Sequence, residues 1–197
     1  MDAWTQVPTL AGRHVRLAPL ASSHAGALAA AASDGELWRL RVTRVPSQAT
    51  AEAYVADALA MHAAGSALPF VVHDGAGEVV GSTRFCNLDP VNRRAEIGWT
   101  WYAARVQRTG LNTEAKRLLL GHAFDTLGCV AVELRTHRLN HRSRRAIERL
   151  GAKLDGILRN HMRMPDGTLR DTAVYSILDS EWPAVRSHLD HLLETHP

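Results

Sequence analysis

Between residues 105 and 113 the chain reads Arg-Val-Gln-Arg-Thr-Gly-Leu-Asn-Thr. The run lies between a strand-like segment and the most strongly helical stretch of the sequence. The first turn of a helix leaves backbone N–H groups unpaired at the positive end of its dipole. A glycine there permits close approach, so such a junction can cradle a phosphate or pyrophosphate. Arg105 and Arg108 add charge, and the backbone from Gln107 through Thr109, Gly110, Leu111, Asn112 and Thr113 offers the N–H groups. The plainer reading of the same residues is a polar loop that turns at a glycine. Neither Gly-x-x-x-x-Gly-Lys-Ser/Thr nor Gly-x-Gly-x-x-Gly occurs anywhere, which argues against the nucleotide-hydrolysing and dinucleotide-binding loops.

A second constellation follows. Asn140-His141-Arg142-Ser143 opens another helix, which closes on Arg149-Leu150-Gly151. Asn140 is a good N-cap, with Ser143 on the first turn. Six arginines, with His137 and His141, fall between Arg135 and Arg149. No aromatic residue is interleaved for base stacking, so the run does not read as a nucleic-acid surface. His137 and His141 stand four apart, but they fall across a strand end and a loop, so no metal site is expected.

These residues must be positioned by an alternating set of elements. Strands are expected at Arg13–Leu17, Phe70–His73, Glu78–Cys86, Arg94–Tyr102, Val130–Thr136, Ala152–Asn160 and Thr168–Leu178, from period-two or continuous apolar patterning. The turns Asp74-Gly75-Ala76-Gly77 and Pro165-Asp166-Gly167 make two hairpins. Helices are expected from Ser22 or Ser23 to Ala32, over Thr50–Ala64 with Ala53, Leu59 and Ala60 on one face, and over Asn112–Leu127, Asn140–Leu150 and Ser180–Leu193. Ala115, Leu118, Leu119, Ala123 and Leu127 give the third its apolar face. The order predicts a mixed α/β domain. Its sheet is mostly antiparallel, with one parallel crossover around Asn112–Leu127.

Composition sets the outer bounds. The chain has 197 residues, 46% hydrophobic and 22% charged, an ordinary globular balance and the size of one domain. Lys and Arg total 23 against 20 Asp and Glu, for a net charge of +3, too mild to imply an acidic polymer as partner. The two cysteines, Cys86 and Cys129, form no Cys-x-x-Cys pair. They are expected to be reduced core residues of a cytoplasmic protein. No apolar segment is long enough to span a membrane, and Met1–Arg13 lacks the apolar core of a signal peptide.

The two segments together resemble the GNAT superfamily of acetyl-CoA-dependent N-acyltransferases. The family loop runs Gln/Arg-x-x-Gly-x-Gly/Ala, and Gln107, Gly110 and Asn112 occupy those places, Asn112 departing from the usual small residue. The later family pattern, an Asn and then a helix ending in Leu-Gly, is met by Asn140 through Gly151. The order of elements agrees over residues 13–178, with an added helix at about 180–194. Glu96-Ile97-Gly98-Trp99, Asn140 with Ser143, and Asp166-Gly167, Arg170-Asp171 and Tyr175 resemble the branch that acetylates ribosomal-protein N-termini.

The resemblance implies a single GNAT-like α/β domain whose twisted sheet splays between Glu96–Tyr102 and Val130–Thr136. It implies acetyl-CoA as cosubstrate, with the pantetheine arm beside Trp99, Thr100 and Trp101 and the pyrophosphate on residues 107–113. Asn140 would bond the arm, and Arg145 would reach the nucleotide. The acceptor would be a protein N-terminal amine or a small amine, and a homodimer is a family habit. Acyl transfer needs a base for the amine and a proton for the departing thiolate. Glu96 is the candidate base, or else a strand carboxylate paired with Arg93 or Arg94. Ser143 is the candidate proton donor, because the Tyr that many relatives carry seven residues after the Asn is Ile147 here. Trp38, Asp171 and Tyr175 would border the acceptor cleft. Packing of a short helix would equally explain Trp38, and pairing of Arg170 with Asp171 across the hairpin is the other reading of Asp171. A catalytically silent acyl-CoA-binding module is the rival reading.

Overall fold

The structure, a computed structural model, describes residues 2–40, 43–164 and 166–195. A two-residue strand β1 (Leu10–Ala11) precedes β2 (Val15–Pro19), α1 (Ala25–Ser33) and α2 (Ala51–Ala63). The meander β3 (Ala67–Asp74), β4 (Val79–Asp89) and β5 (Arg94–Tyr102) follows. Then come α3 (Leu111–Gly121), β6 (Ala131–His137), α4 (His141–Arg149), β7 (Lys153–Arg163), β8 (Leu169–Leu178) and α5 (Trp182–Thr195). The expected elements are present within a few residues, and β1 is additional. Of the expected second hairpin turn, Pro165 lies outside the described residues, and Gly167 takes the left-handed conformation at φ 82°.

Two helix expectations need correction. The α-helix α3 stops at Gly121, and the chain passes into a π-helical turn, His122–Thr126, before Leu127. Ala123 and Leu127 nonetheless reach the core. In α2 the buried face is Ala51, Val55 and Ala58, whereas Ala53 and Ala60 are exposed. A helix this rich in alanine has apolar residues on every side, so periodicity does not say which face turns inward.

The sheet runs β1-β2-β3-β4-β5-β6-β8-β7. Every neighbouring pair is antiparallel except β5–β6, which α3 connects. That parallel pair is short: Arg94, Ala95 and Glu96 meet Ala131, Val132 and Glu133, and pairing then stops. Beyond it β5 stays with β4 as far as Gly81↔Tyr102, while β6 stays with β8 as far as His137↔Thr172. Each strand is committed to its outer neighbour, so the two part. The register of β4 against β5 also slips between Ser82 and Arg84, opposite Trp99, which takes φ 54°. Such a bulge bends and twists the strand that carries it.

The helices α2 and α3 cover opposite faces. Along β4, Arg84 turns to Tyr54 and Met61 of α2. Its neighbour Thr83 turns to Thr100, which Lys116 of α3 also bonds. The helix α5 packs on α3, where Arg117 pairs with Asp190 at 2.7 Å.

One buried carboxylate pins α3 to the sheet. Glu114, on the first turn of α3, accepts the backbone N–H groups of Arg13 at 2.8 Å, His14 at 2.6 Å and Val15 at 3.0 Å. A Cβ on Gly12 would lie 2.3 Å from the Glu114 carboxyl carbon, so that glycine makes room for the clasp. Hydrogen bonds to a charged acceptor are stronger than neutral ones, and losing this one strands three N–H groups. We expect Glu114→Ala to lower the unfolding free energy by about 3 kcal/mol in urea titration. Glu114→Gln, with only one accepting oxygen left, should fall between it and the parent.

Candidate active site

The split between β5 and β6 opens onto the junction that leads into α3. The N–H of Gln107 is taken by the Ala104 carbonyl at 3.2 Å, and that of Leu111 by the Thr109 hydroxyl at 3.3 Å. The N–H groups of Arg108, Thr109, Gly110, Asn112 and Thr113 have no acceptor among the described residues. They form a row at a helix N-terminus, which suits a phosphate anion. Gly110 is helical at φ −62°. The residue that takes the left-handed turn is Arg108, at φ 66°.

Side chains of this loop tie elements together. Gln107 donates to the Tyr102 carbonyl at 2.7 Å and accepts from Arg142 of α4. The Thr113 hydroxyl accepts from Arg149 at 2.9 Å. Leu111 is a core residue. Arg105 departs from the expectation: its guanidinium pairs with Asp34 at 3.7 Å and Asp74 at 3.8 Å, so its charge is already answered. Arg108 and Arg145 are exposed and make no ion pair among the described residues. Across the split, Asn140 caps α4 by accepting the Ser143 N–H at 3.1 Å. That engages its carbonyl oxygen and leaves its amide nitrogen for another partner.

Glu96 sits on β5 where pairing with β6 ends, 8% exposed. Its carboxylate accepts from the Asn87 amide at 2.7 Å and pairs with Arg135 at 3.4 Å. Arg94 belongs instead to Glu133, at 2.7 Å, which corrects the expected strand pairing. Asn87 takes φ 48° at the end of the regular β4 register, a conformation that asparagine tolerates. Burial pushes the Glu96 carboxyl above the usual range, against the pull of Arg135 and Asn87. A carboxylate so placed is suited to take up a proton.

Two buried cations flank the bulge, and neither was singled out from the sequence. Lys116 is 5% exposed and donates to Thr100 at 2.8 Å, the Thr100 hydroxyl meeting Thr83 at 2.7 Å. No carboxylate pairs with Lys116 among the described residues, and burial pulls its ammonium down to about 7. On the other face, Arg84 is 1% exposed and lies over Trp99. Both had a signal: Arg84 interrupts the apolar run Val79–Cys86, and Lys116 falls at helical spacing from Leu119, Leu120 and Ala123.

The acceptor-side expectations fare unevenly. Tyr175 is fully buried, accepting from Arg144 at 2.8 Å and donating to Glu148 at 2.7 Å, so it cannot touch an acceptor. Asp171 pairs with Arg138 at 3.2 Å and caps the Asn160 N–H at 2.9 Å, while Arg170 bonds Thr172 rather than Asp171. Trp38, 36% exposed on the short turn Leu37–Arg39, is not among the residues that wall the cavity beside Trp99. Arg41 and Val42 of the same flank lie outside the described residues. Trp101 is buried and bonds the Tyr54 hydroxyl at 3.1 Å, so only its backbone is available to a ligand. Cys86 and Cys129 are both buried thiols.

A split parallel pair, a bulge, a row of free N–H groups and a buried carboxylate thus meet in one region of the sheet, and comparison places the chain in a family. Residues 14–153 match the model of the acetyltransferase (GNAT) domain, and the chain belongs to that family of acetyltransferases. A protein of Bacillus subtilis (strain 168), provisionally named ribosomal N-acetyltransferase YdaF, is 36% identical over 106 residues, 54% of this chain and 57% of that protein. The match thus spans little more than half the length of that relative. A GCN5-related N-acetyltransferase from Brucella melitensis superposes with TM-score 0.85 at 35% identity, over 95% of this chain and 86% of that one. The fold is shared with Mycobacterium smegmatis RimJ, solved with CoA-disulfide, at TM-score 0.79 and 24% identity over 97% of both chains.

The two shifted groups make opposite demands on stability. A carboxyl raised by the fold stabilises it while protonated, and that contribution is lost as pH rises. Urea midpoints of Glu96→Gln should therefore gain on the parent as pH rises above the ordinary carboxylate value of 4.5. Lys116 is lowered from 10.5 to about 7. Between those values the unfolded chain holds a proton that the folded one does not, so stability rises with pH. The parent should gain on Lys116→Met across that window and hold a constant offset below it.

Proposed function

We propose that the protein moves an acetyl group from acetyl-CoA to a primary amine, that of a protein N-terminus, by direct attack in a ternary complex. The observation that carries this is the position of Glu96: a buried, proton-seeking carboxylate at the point where β5 leaves β6, on the strand that bulges against β4 at Trp99. The site is one catalytic domain, its core at residues 13–178, with α5 appended.

Acetyl-CoA would supply an activated thioester. The free N–H groups from Arg108 to Thr113, with the side chains of Arg108 and Arg145, would hold its phosphates. The Asn140 amide and the backbone from Trp99 through Thr100 to Trp101 would align its arm in the split. Glu96 would take a proton from the acceptor's ammonium, directly or through one water, so that the free amine attacks the thioester carbonyl. A backbone N–H at the bulge would meet the charge that develops on the carbonyl oxygen. As the carbon–sulfur bond breaks, Ser143 on the first turn of α4 would return a proton to the thiolate. Ile147, buried, offers none.

The name of the B. subtilis relative, a ribosomal N-acetyltransferase, supports a ribosomal protein as acceptor and a cytoplasmic setting. A homodimer is supported by Leu154, Leu158 and Met162, exposed on the edge strand β7. A cavity of about 490 Å³ beside Trp99 favours a small amine as second reading.

Titration calorimetry should show saturable binding of CoA and acetyl-CoA. Arg108→Ala with Arg145→Ala should weaken it about tenfold while leaving the melting temperature in place, since each surface ion contact contributes about 0.7 kcal/mol. Free-thiol release with N-terminal peptides should accompany acetylation seen by mass spectrometry. Failure to bind CoA at saturating concentration would end this reading, and binding without turnover on any amine would leave a silent acyl-CoA-binding module.

A further inference from the structure

Arg84 is a buried cation with no anion. A guanidinium stays charged at any pH the fold survives, and removing it from water is costly unless acceptors meet it. Here Nη1 donates only to the Met61 thioether at 3.4 Å, and Nε is buried with no partner. No carboxylate lies within ion-pair distance among the described residues. The plane stacks on Trp99 at 4.4 Å and faces Tyr54 at 5.3 Å. Those rings offset part of the cost and fix the guanidinium in place.

The same side chain lines the cavity of about 490 Å³. Its walls are largely apolar, with Val45, Pro46, Ala53 and Met61 among them. Arg44 and Asp57 also line it, both on exposed residues, and Asp57 is beyond ion-pair reach of Arg84. An apolar cavity with one fixed, unanswered charge is the usual design of a site that reads one polar group. The cavity also adjoins the proposed chemistry. Arg84 is the cross-strand partner of Gly98, which stands two residues along β5 from Glu96, so the two positions are separated by roughly 7 Å along the strands and roughly 5 Å across them. A molecule with its amine at Glu96 and an anion at Arg84 therefore spans one or two residues.

We propose that Arg84 is the specificity determinant of an acceptor subsite that reads a carboxylate one or two residues from the reactive amine. This deepens the reading of the protein as an amine acetyltransferase and rests on it. The carboxylate comes either from an aspartate or glutamate side chain near a peptide N-terminus or from the α-carboxylate of a free amino acid. Its oxygens would accept from the Arg84 guanidinium and satisfy the group that the fold leaves unpaired.

The test uses matched acceptors with the full-length protein and acetyl-CoA. Peptides with Asp or Glu at the first or second position are compared with the same peptides carrying Asn or Gln, and free alanine and serine with their amides. The carboxylate member should be preferred about 10- to 100-fold in kcat/KM, the range expected for a hydrogen bond to a charged group. The peptide pairs and the amino-acid pairs identify the source. In Arg84→Gln the preference should collapse toward one, and in Arg84→Lys it should survive in part. Calorimetry of the same compounds with CoA present separates the two levels. Tighter binding of the carboxylate member without transfer would overturn the acetyltransferase reading and keep the subsite. Equal binding, or no binding by either member, would overturn the subsite whatever the turnover. Should the Arg84 variants fail to fold, the matched acceptors on the parent protein decide alone.

Discussion

Three residue pairs hold β5 to β6, and the site depends on their being only three. A parallel sheet that continued would bury the backbone of both strands and leave no channel. Here β4 keeps β5 and β8 keeps β6, so the strands separate with polar backbone facing the gap. Buried backbone groups need partners, and a ligand arm with amides of its own is a natural one. The helix that crosses between the strands must begin at the mouth of the gap, which puts its free N–H groups beside it. Glu114 fixes that helix from its own first turn by clasping the start of β2.

Around the gap the structure keeps ionisable groups out of water in three places. Glu96 is answered by Asn87 and Arg135, Lys116 only by a threonine, and Arg84 only by aromatic faces and a thioether. Each is expensive to bury, and all three lie within one short reach of the bulge at Trp99. A fold selected for stability alone would replace them with apolar residues. Their concentration at one place is what the proposed chemistry there would require.

Local chemistry was readable from the sequence, and long-range partnership was not. The Asn140 cap, the helix start after Gly110 and the Asp74–Gly77 hairpin depend on neighbours in the chain, and the structure bears them out. Arg105 looked like a phosphate ligand because its nearest neighbours are a loop and a helix start. Its acids, Asp34 and Asp74, come from distant segments. Tyr175 looked like an acceptor contact because strand alternation does not say which face α4 will cover, and Glu148 and Arg144 cover it. Arg84 and Lys116 were passed over because a lone charge in an apolar run reads as an irregularity in the pattern. In the structure those two side chains are buried on either side of the bulge at Trp99.

The most direct test of Glu96 as the base is the pH profile of kcat/KM. The parent should show an acidic limb, rising as Glu96 loses its proton. In Arg135→Gln, which removes the nearest positive charge, that limb should move to higher pH. In Glu96→Gln the limb should vanish with a loss of about 10²- to 10⁴-fold, while acetyl-CoA affinity stays unchanged. An undiminished rate with the limb intact in Glu96→Gln would contradict the account, because the proton would then leave by a group other than the one this site is built around.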